Sequence, residues 1–180
     1  MEIRILQPDD WQGLYHLIEP VDKQLVGMMS ETEELVEDWI NNIVTGLWEV
    51  HVAVLSEEEL EAEENRFIRK ILPWKRLREN HGGIIGLVTL FGDWQEDEEL
   101  EEGDFDIGIT VAEDFQRKGI GKKLMQYILK RGKELNYKRA KLCTRIDNIG
   151  MKRLALKLGF SEGNKIKKSD FYWVYYFKDI

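Results

Sequence analysis

The residues best suited to chemistry lie in the run Gln116-Arg117-Lys118-Gly119-Ile120-Gly121. Before it, Phe105, Ile107, Ile109 and Val111 alternate with Asp106, Gly108 and Thr110, the period of a strand with one apolar face. After it, Ile120, Leu124, Tyr127, Ile128 and Leu135 recur at helical spacing. Strand, glycine loop and helix thus follow one another. Glycines at 119 and 121 carry no Cβ to obstruct a ligand, which leaves backbone N–H groups at a helix N-terminus open to an anion. Arg117, Lys118, Lys122 and Lys123 crowd the same end, although the helix dipole disfavours cations there. A bound anion reconciles the two. ATP and dinucleotide loops fit poorly, since a Walker A loop needs Gly-Lys-Ser/Thr and a Rossmann fingerprint needs Gly or Ala where Leu124 stands.

The chain of 180 residues has 43% hydrophobic and 33% charged residues, enough to fill the core of one domain. A single Cys143 excludes an intrachain disulfide and a Cys-cluster metal site, and His16, His51 and His81 lack close ligand spacing, so no metal is expected. The net charge of −8 argues against a nucleic-acid binder. It hides an asymmetry: residues 1 to 114 carry 8 basic and 29 acidic side chains, residues 115 to 168 carry 17 and 3. Either two solvated faces differ in sign, or the halves meet ligands of opposite charge, a polyanion on the later half and a cation on the earlier one. With no apolar run of 18 residues and no basic or apolar leader in MEIRILQPDDWQ, no membrane partner and a cytoplasmic location are expected.

The pattern along the chain supplies the positioning elements. Ile3 to Leu6 reads as a strand, and Asp9 or Asp10 caps a helix to about Ile18. Ser30 and Glu33 form a capping box for a helix from Thr32 to Thr45. Trp48 to Leu55 and Gly83 to Phe91 read as neighbouring antiparallel strands. Residues 57–80 between them are an insertion with Leu60, Phe67, Ile68 and Ile71 on one helical stripe, stopped by Pro73. It packs on the domain, mediates self-association as a homodimer or is partly mobile; composition does not choose. Residues 95 to 104 form an acidic loop. After the central helix come a strand from Arg139 to Ile146, a helix starting at Asp147-Asn148, and two β segments, Phe160 to Lys167 and Phe171 to Phe177.

Two motifs at this separation, ITVAEDFQRKGIG at residues 109 to 121 and NIGMKRLALKLGF at 148 to 160, resemble those of the GNAT superfamily of N-acetyltransferases, and the resemblance covers nearly the whole chain. It implies an α/β fold in one domain, residues 1–180. A mostly antiparallel sheet of about seven strands would splay between its fourth and fifth, with about four helices around it. It further implies acetyl-CoA in the opening. The pyrophosphate would lie on the loop amides of Gln116, Arg117, Lys118, Gly119, Ile120, Gly121 and Lys122, the pantetheine arm along Ile109, Thr110 and Val111, and the Asn148 side chain against that arm.

The same resemblance implies direct transfer to a primary amine. An ammonium of pKa about 10.4 must lose a proton before it attacks, and Asp106 is the candidate base. Amides near Ile109 to Val111 could hold the charge on the acyl oxygen. Many relatives carry a Tyr as acid for the leaving thiolate where this chain has Ala155; Tyr172, Tyr175 and Tyr176 are substitutes to consider. The acceptor, a cationic small molecule or a peptide amino group, is expected to meet residues 19–34 and the acidic half generally. Two other classes compete: a non-catalytic acyl-CoA-binding or interaction module, separated by an amine panel, and a nucleic-acid binder, separated by the salt dependence of its affinity.

Overall fold

A computed structural model describes residues 1–21, 31–45, 48–67, 83–92, 101–168 and 170–180. In chain order the elements are β1 (Glu2–Ile5), α1 (Trp11–Ile18), α2 (Thr32–Thr45), β2 (Glu49–Val54), α3 (Glu57–Phe67), β3 (Ile84–Gly92), β4 (Asp104–Val111), α4 (Ile120–Glu134), β5 (Arg139–Arg145), α5 (Ile149–Lys157), β6 (Ser161–Lys168) and β7 (Phe171–Asp179). Short 3-10 turns at Pro8–Asp10 and Glu113–Phe115 precede α1 and follow β4. Hydrogen-bonded neighbours run β1-β2-β3-β4-β5-β7-β6 in one seven-stranded sheet. Among the described residues there are five α-helices, one more than the motif pattern implies, the addition being α3 within the insertion.

The described residues form two compact units. The first takes Met1–Val21, the described part of Ser30–Leu87, and Thr110–Ile120; the second takes the described parts of Val88–Ile109 and Gly121–Ile180. In the first, β1 pairs antiparallel with β2 from Glu2↔Val54 to Ile5↔His51. Leu14, Leu17 and Ile18 of α1 and Val36 of α2 are fully buried, at roughly 1.5–3 kcal/mol for each such side chain. Asp10 turns backwards rather than capping α1 forwards: its carboxylate takes two bonds from the Arg4 guanidinium, 2.6 and 2.8 Å, and one from the Gln7 N–H at 2.8 Å. The α3 start is a capping box, with Ser56 N–H on Glu59 and Glu59 N–H on the Ser56 hydroxyl. Ser30, Ile68, Ile71 and Pro73 lie outside the described residues.

In the second unit β7 pairs antiparallel with β5 along its whole length, Arg139↔Asp179 to Arg145↔Trp173, and with β6 on its other side across a bulge between Glu162 and Lys165. Leu124, Met125, Ile128 and Leu129 make the buried stripe of α4. Gly132 lets that helix close on the sheet, because a Cβ there would come within 2.6 Å of the Phe105 ring. Leu135, expected on the stripe, is exposed because the helix ends at Glu134.

Candidate active site

The site grows out of β4, whose two ends are held differently. At its start, in the second unit, three residues pair in parallel with β5: Asp104↔Arg139, Phe105↔Ala140 and Asp106↔Lys141. Paired residues on parallel strands face the same side, so two carboxylates stand beside two cations. The first pair closes tightly. Arg139 Nε reaches both Asp104 oxygens at 3.0 and 3.1 Å and Nη2 reaches Oδ2 at 2.5 Å, with the guanidinium 4.9 Å over the Phe177 ring. These bonds raise the Arg139 pKa, and Asp104 is almost wholly buried. In the second pair Lys141 is fully buried, its Nζ 4.7 Å from the Tyr175 ring, while Asp106 is half-buried with Oδ1 out of contact with solvent.

Beyond Asp106 and Lys141 the ladder ends, so no β5 residue is in register with Ile107, Gly108 or Ile109. On its other side β4 is the hydrogen-bonded neighbour of β3, and at Gly108 a β3 side chain makes contact as well. The Gly108 N–H donates to the Thr89 hydroxyl at 2.9 Å, and that hydroxyl donates to the Gly108 carbonyl at 3.4 Å. Successive strand residues direct their backbone pairs to opposite sides. With Gly108 facing β3, the N–H and C=O of Ile109 face the side on which β5 has parted.

The first unit carries the rest of β4 and the start of the glycine loop. Thr110 Oγ1 is buried and finds no hydrogen-bond partner among the described residues. The Val111 carbonyl accepts from the Gln116 side chain at 3.1 Å, which ties the loop back to the strand. Phe115 is buried and anchors the turn. Arg117 has φ +60, costly for a side-chain-bearing residue, and Gly119 has φ +85, which glycine adopts freely. A Cβ on Gly119 would meet nothing within 4 Å. Gln116, Arg117, Lys118 and Gly119 are all exposed and Ile120 is buried beneath them. Lys118 reaches Glu63 of α3 at 3.3 Å and lies 4.5 Å over the Phe115 ring, so its ammonium is held toward the insertion.

In the second unit, Gly121 and the exposed Lys122 begin α4. Asn148 is the N-cap of α5, its Oδ1 accepting from Met151 N–H at 3.1 Å. The carbonyl end of that side chain is therefore committed to the helix. Ala155 is fully buried, so the position that holds a tyrosine in many relatives here fills core. Tyr175 and Tyr176 are buried too, and Tyr176 donates to Glu162 at 3.2 Å. Loss of hydration and the neighbouring Glu162 charge push the Tyr176 pKa up to about 12, which makes it a poor acid at neutral pH. Tyr172 is exposed. Most of the segment 19–34 lies outside the described residues. Among the described residues, no group of three His, Cys, Asp or Glu could hold a metal, and no helix is long and apolar enough to cross a membrane.

Pattern reading reached Asp106 and the loop residues. It missed Thr89, Lys141 and the pair Asp104 with Arg139. A lone hydroxyl in the apolar run IIGLVTLFG and a lysine at the centre of the β5 strand were the available signals.

The model of the Acetyltransferase (GNAT) family matches residues 34–160. No curated protein sequence matches the chain. Solved structures resemble it over nearly all their length. The ribosomal-protein-alanine N-acetyltransferase of Brucella melitensis is 16% identical, covers 100% of each chain and has a TM-score of 0.72. A chimera built on the spermidine N-acetyltransferase of Vibrio cholerae is 16% identical, covers 99% and 96%, and scores 0.68. The yncA protein of Salmonella typhimurium, solved with its cofactor acetyl-CoA, is 14% identical, covers 99% and 92%, and scores 0.67.

Proposed function

Since the chain belongs to the GNAT family of acetyltransferases, we propose that it moves the acetyl group of acetyl-CoA directly to a primary amine of a cationic small molecule or a peptide. The observation that carries this reading is the short β4–β5 ladder. Three pairs close one end of β4, and from Ile107 onward the strand has no β5 residue in register. Two features of the first unit fit the cofactor: the open space where a Gly119 Cβ would stand, and the buried Thr110 hydroxyl still lacking a partner among the described residues.

On this reading the loop amides of Gln116, Arg117, Lys118, Gly119 and Ile120, followed by Gly121 and Lys122 at the α4 start, hold the diphosphate as hydrogen-bond donors. The exposed cations offset its charge. Ile109, Thr110 and Val111 offer backbone groups to the pantetheine arm, and Asn148 offers its remaining amide N–H. Acetyl-CoA supplies an acyl group activated as a thioester. Asp106 takes a proton from the acceptor ammonium, and the Ile109 N–H holds the charge that gathers on the acyl oxygen. No tyrosine acid stands at Ala155, so the thiolate leaves on its own acidity or takes a proton from water.

Support for a cationic acceptor comes from the acidic first 114 residues, and a polyamine is the acceptor named for one solved structure of the same fold. We take the chain as one catalytic domain, residues 1–180, acting in the cytoplasm without nucleic acid, metal or membrane. The test is incubation with acetyl-CoA and a panel of polyamines, aminoglycosides and peptides, read by mass for an acetylated product. Saturable acetyl-CoA binding with no acetylated amine would instead favour a non-catalytic binding module.

A further inference from the structure

Thr89 stands in the middle of the apolar β3 strand and is almost completely buried, between Val88 and Leu90, which are buried as well. Its hydroxyl is spent on one residue of the neighbouring strand. It accepts the Gly108 N–H at 2.9 Å and lies 3.4 Å from the Gly108 carbonyl, at the long limit of a hydrogen bond. The fit is mutual, because a Cβ on residue 108 would fall 2.6 Å from that same oxygen. A side-chain oxygen thus meets both backbone groups of one residue on the neighbouring strand. The contact falls two residues after the last β4–β5 pair, at Asp106, and one residue before Ile109.

We propose that Thr89 is a positioning residue for acyl transfer: its buried hydroxyl holds the Gly108 peptide and so aims the next amide, Ile109 N–H, at the acyl oxygen of the thioester. This rests on the acetyltransferase reading above. The glycine at 108 and the threonine at 89 act as one device, the missing Cβ making room for the hydroxyl.

The experiment compares T89V, which keeps shape and loses the hydroxyl, with T89S, which keeps the hydroxyl and loses the methyl. Amide exchange by NMR at Gly108 and Ile109 is followed alongside kcat and KM for acetyl-CoA. In T89V the Gly108 amide should exchange about tenfold faster or more, with the Phe105 amide unchanged. Its kcat should fall about tenfold or more while KM for acetyl-CoA stays within about threefold. T89S should hold both quantities within about threefold of the native protein. Native exchange and native kcat in T89V overturn the proposal, and so does a T89S variant as impaired as T89V, which would make the methyl the working part. Should T89V not fold, T89S and the native protein decide: a native Gly108 amide that exchanges as fast as an exposed one overturns the contact. If no amine is acetylated by any form, the functional reading fails, while the exchange data still judge the Thr89 contact separately.

Discussion

The two ends of β4 are built from similar materials and behave oppositely. At Asp104 a carboxylate, a guanidinium and an aromatic ring close on one another, and three successive residues pair with β5. Four residues on, at Gly108, the N–H donates to a threonine hydroxyl, and β5 has no residue in register. β5 itself does not end there, for it continues paired with β7 to Arg145. The β4–β5 ladder therefore stops while β5 keeps its partner on the other side. One end is closed by three pairs, an ion pair and a ring, and the other has no β5 residue in register.

The largest expected effect comes from the loop that follows the open end. Gly119→Val places a branched side chain in the clear space at φ +85, and acetyl-CoA binding should weaken by about a thousandfold or more, some 4 kcal/mol. The left-handed backbone would add a fold cost of only about 1–2 kcal/mol. Calorimetry and a thermal melt separate the two, and native affinity would remove the loop from the site. At the closed end, Asp104→Ala leaves a partly exposed guanidinium without its buried carboxylate and should cost about 3 kcal/mol in urea unfolding. A loss below about 0.5 kcal/mol would show that the pin is ordinary surface pairing.

Between the ends, Asp106→Asn should lower kcat about a hundredfold while acetyl-CoA affinity stays within about threefold. A rate and a pH–rate profile like those of the native protein would take Asp106 out of the chemistry and leave it as the partner in register with Lys141. The smallest effect lies on the closed side, at Tyr176. Its raised pKa means that the neutral hydroxyl stabilises the fold fully below about pH 10, and that this contribution is lost as the pH rises through about 12. Tyrosinate absorbance should show one late-titrating tyrosine, and Glu162→Gln should bring it earlier by removing the adjacent charge. An unchanged late midpoint would assign the shift to burial alone.

What was legible in the sequence was whatever local pattern dictates. The helix Thr32–Thr45 and, to within one or two residues, the strands are legible because alternation and helical spacing are written in neighbouring side chains. The splay of the sheet came from the motif resemblance and not from any period. Where the β4–β5 ladder stops was not legible, since pairing depends on residues 35 positions apart in sequence, as with Asp104 and Arg139. The Asp10 cap was misread for the same reason: Arg4, on β1, competes for the carboxylate that the local rule assigns to the helix. Lys141 and Thr89 interrupt apolar strands, and such a buried polar group must find a partner and so points to one.

The most direct test of the account is the Ile109 amide, followed by hydrogen exchange and NMR shift as acetyl-CoA is titrated in. If the open side of β4 receives the thioester arm, this amide should become at least about tenfold more protected at saturation, with the Phe105 amide at the closed end unmoved. An Ile109 amide that keeps its exchange rate and its shift while acetyl-CoA binds elsewhere on the protein would contradict it.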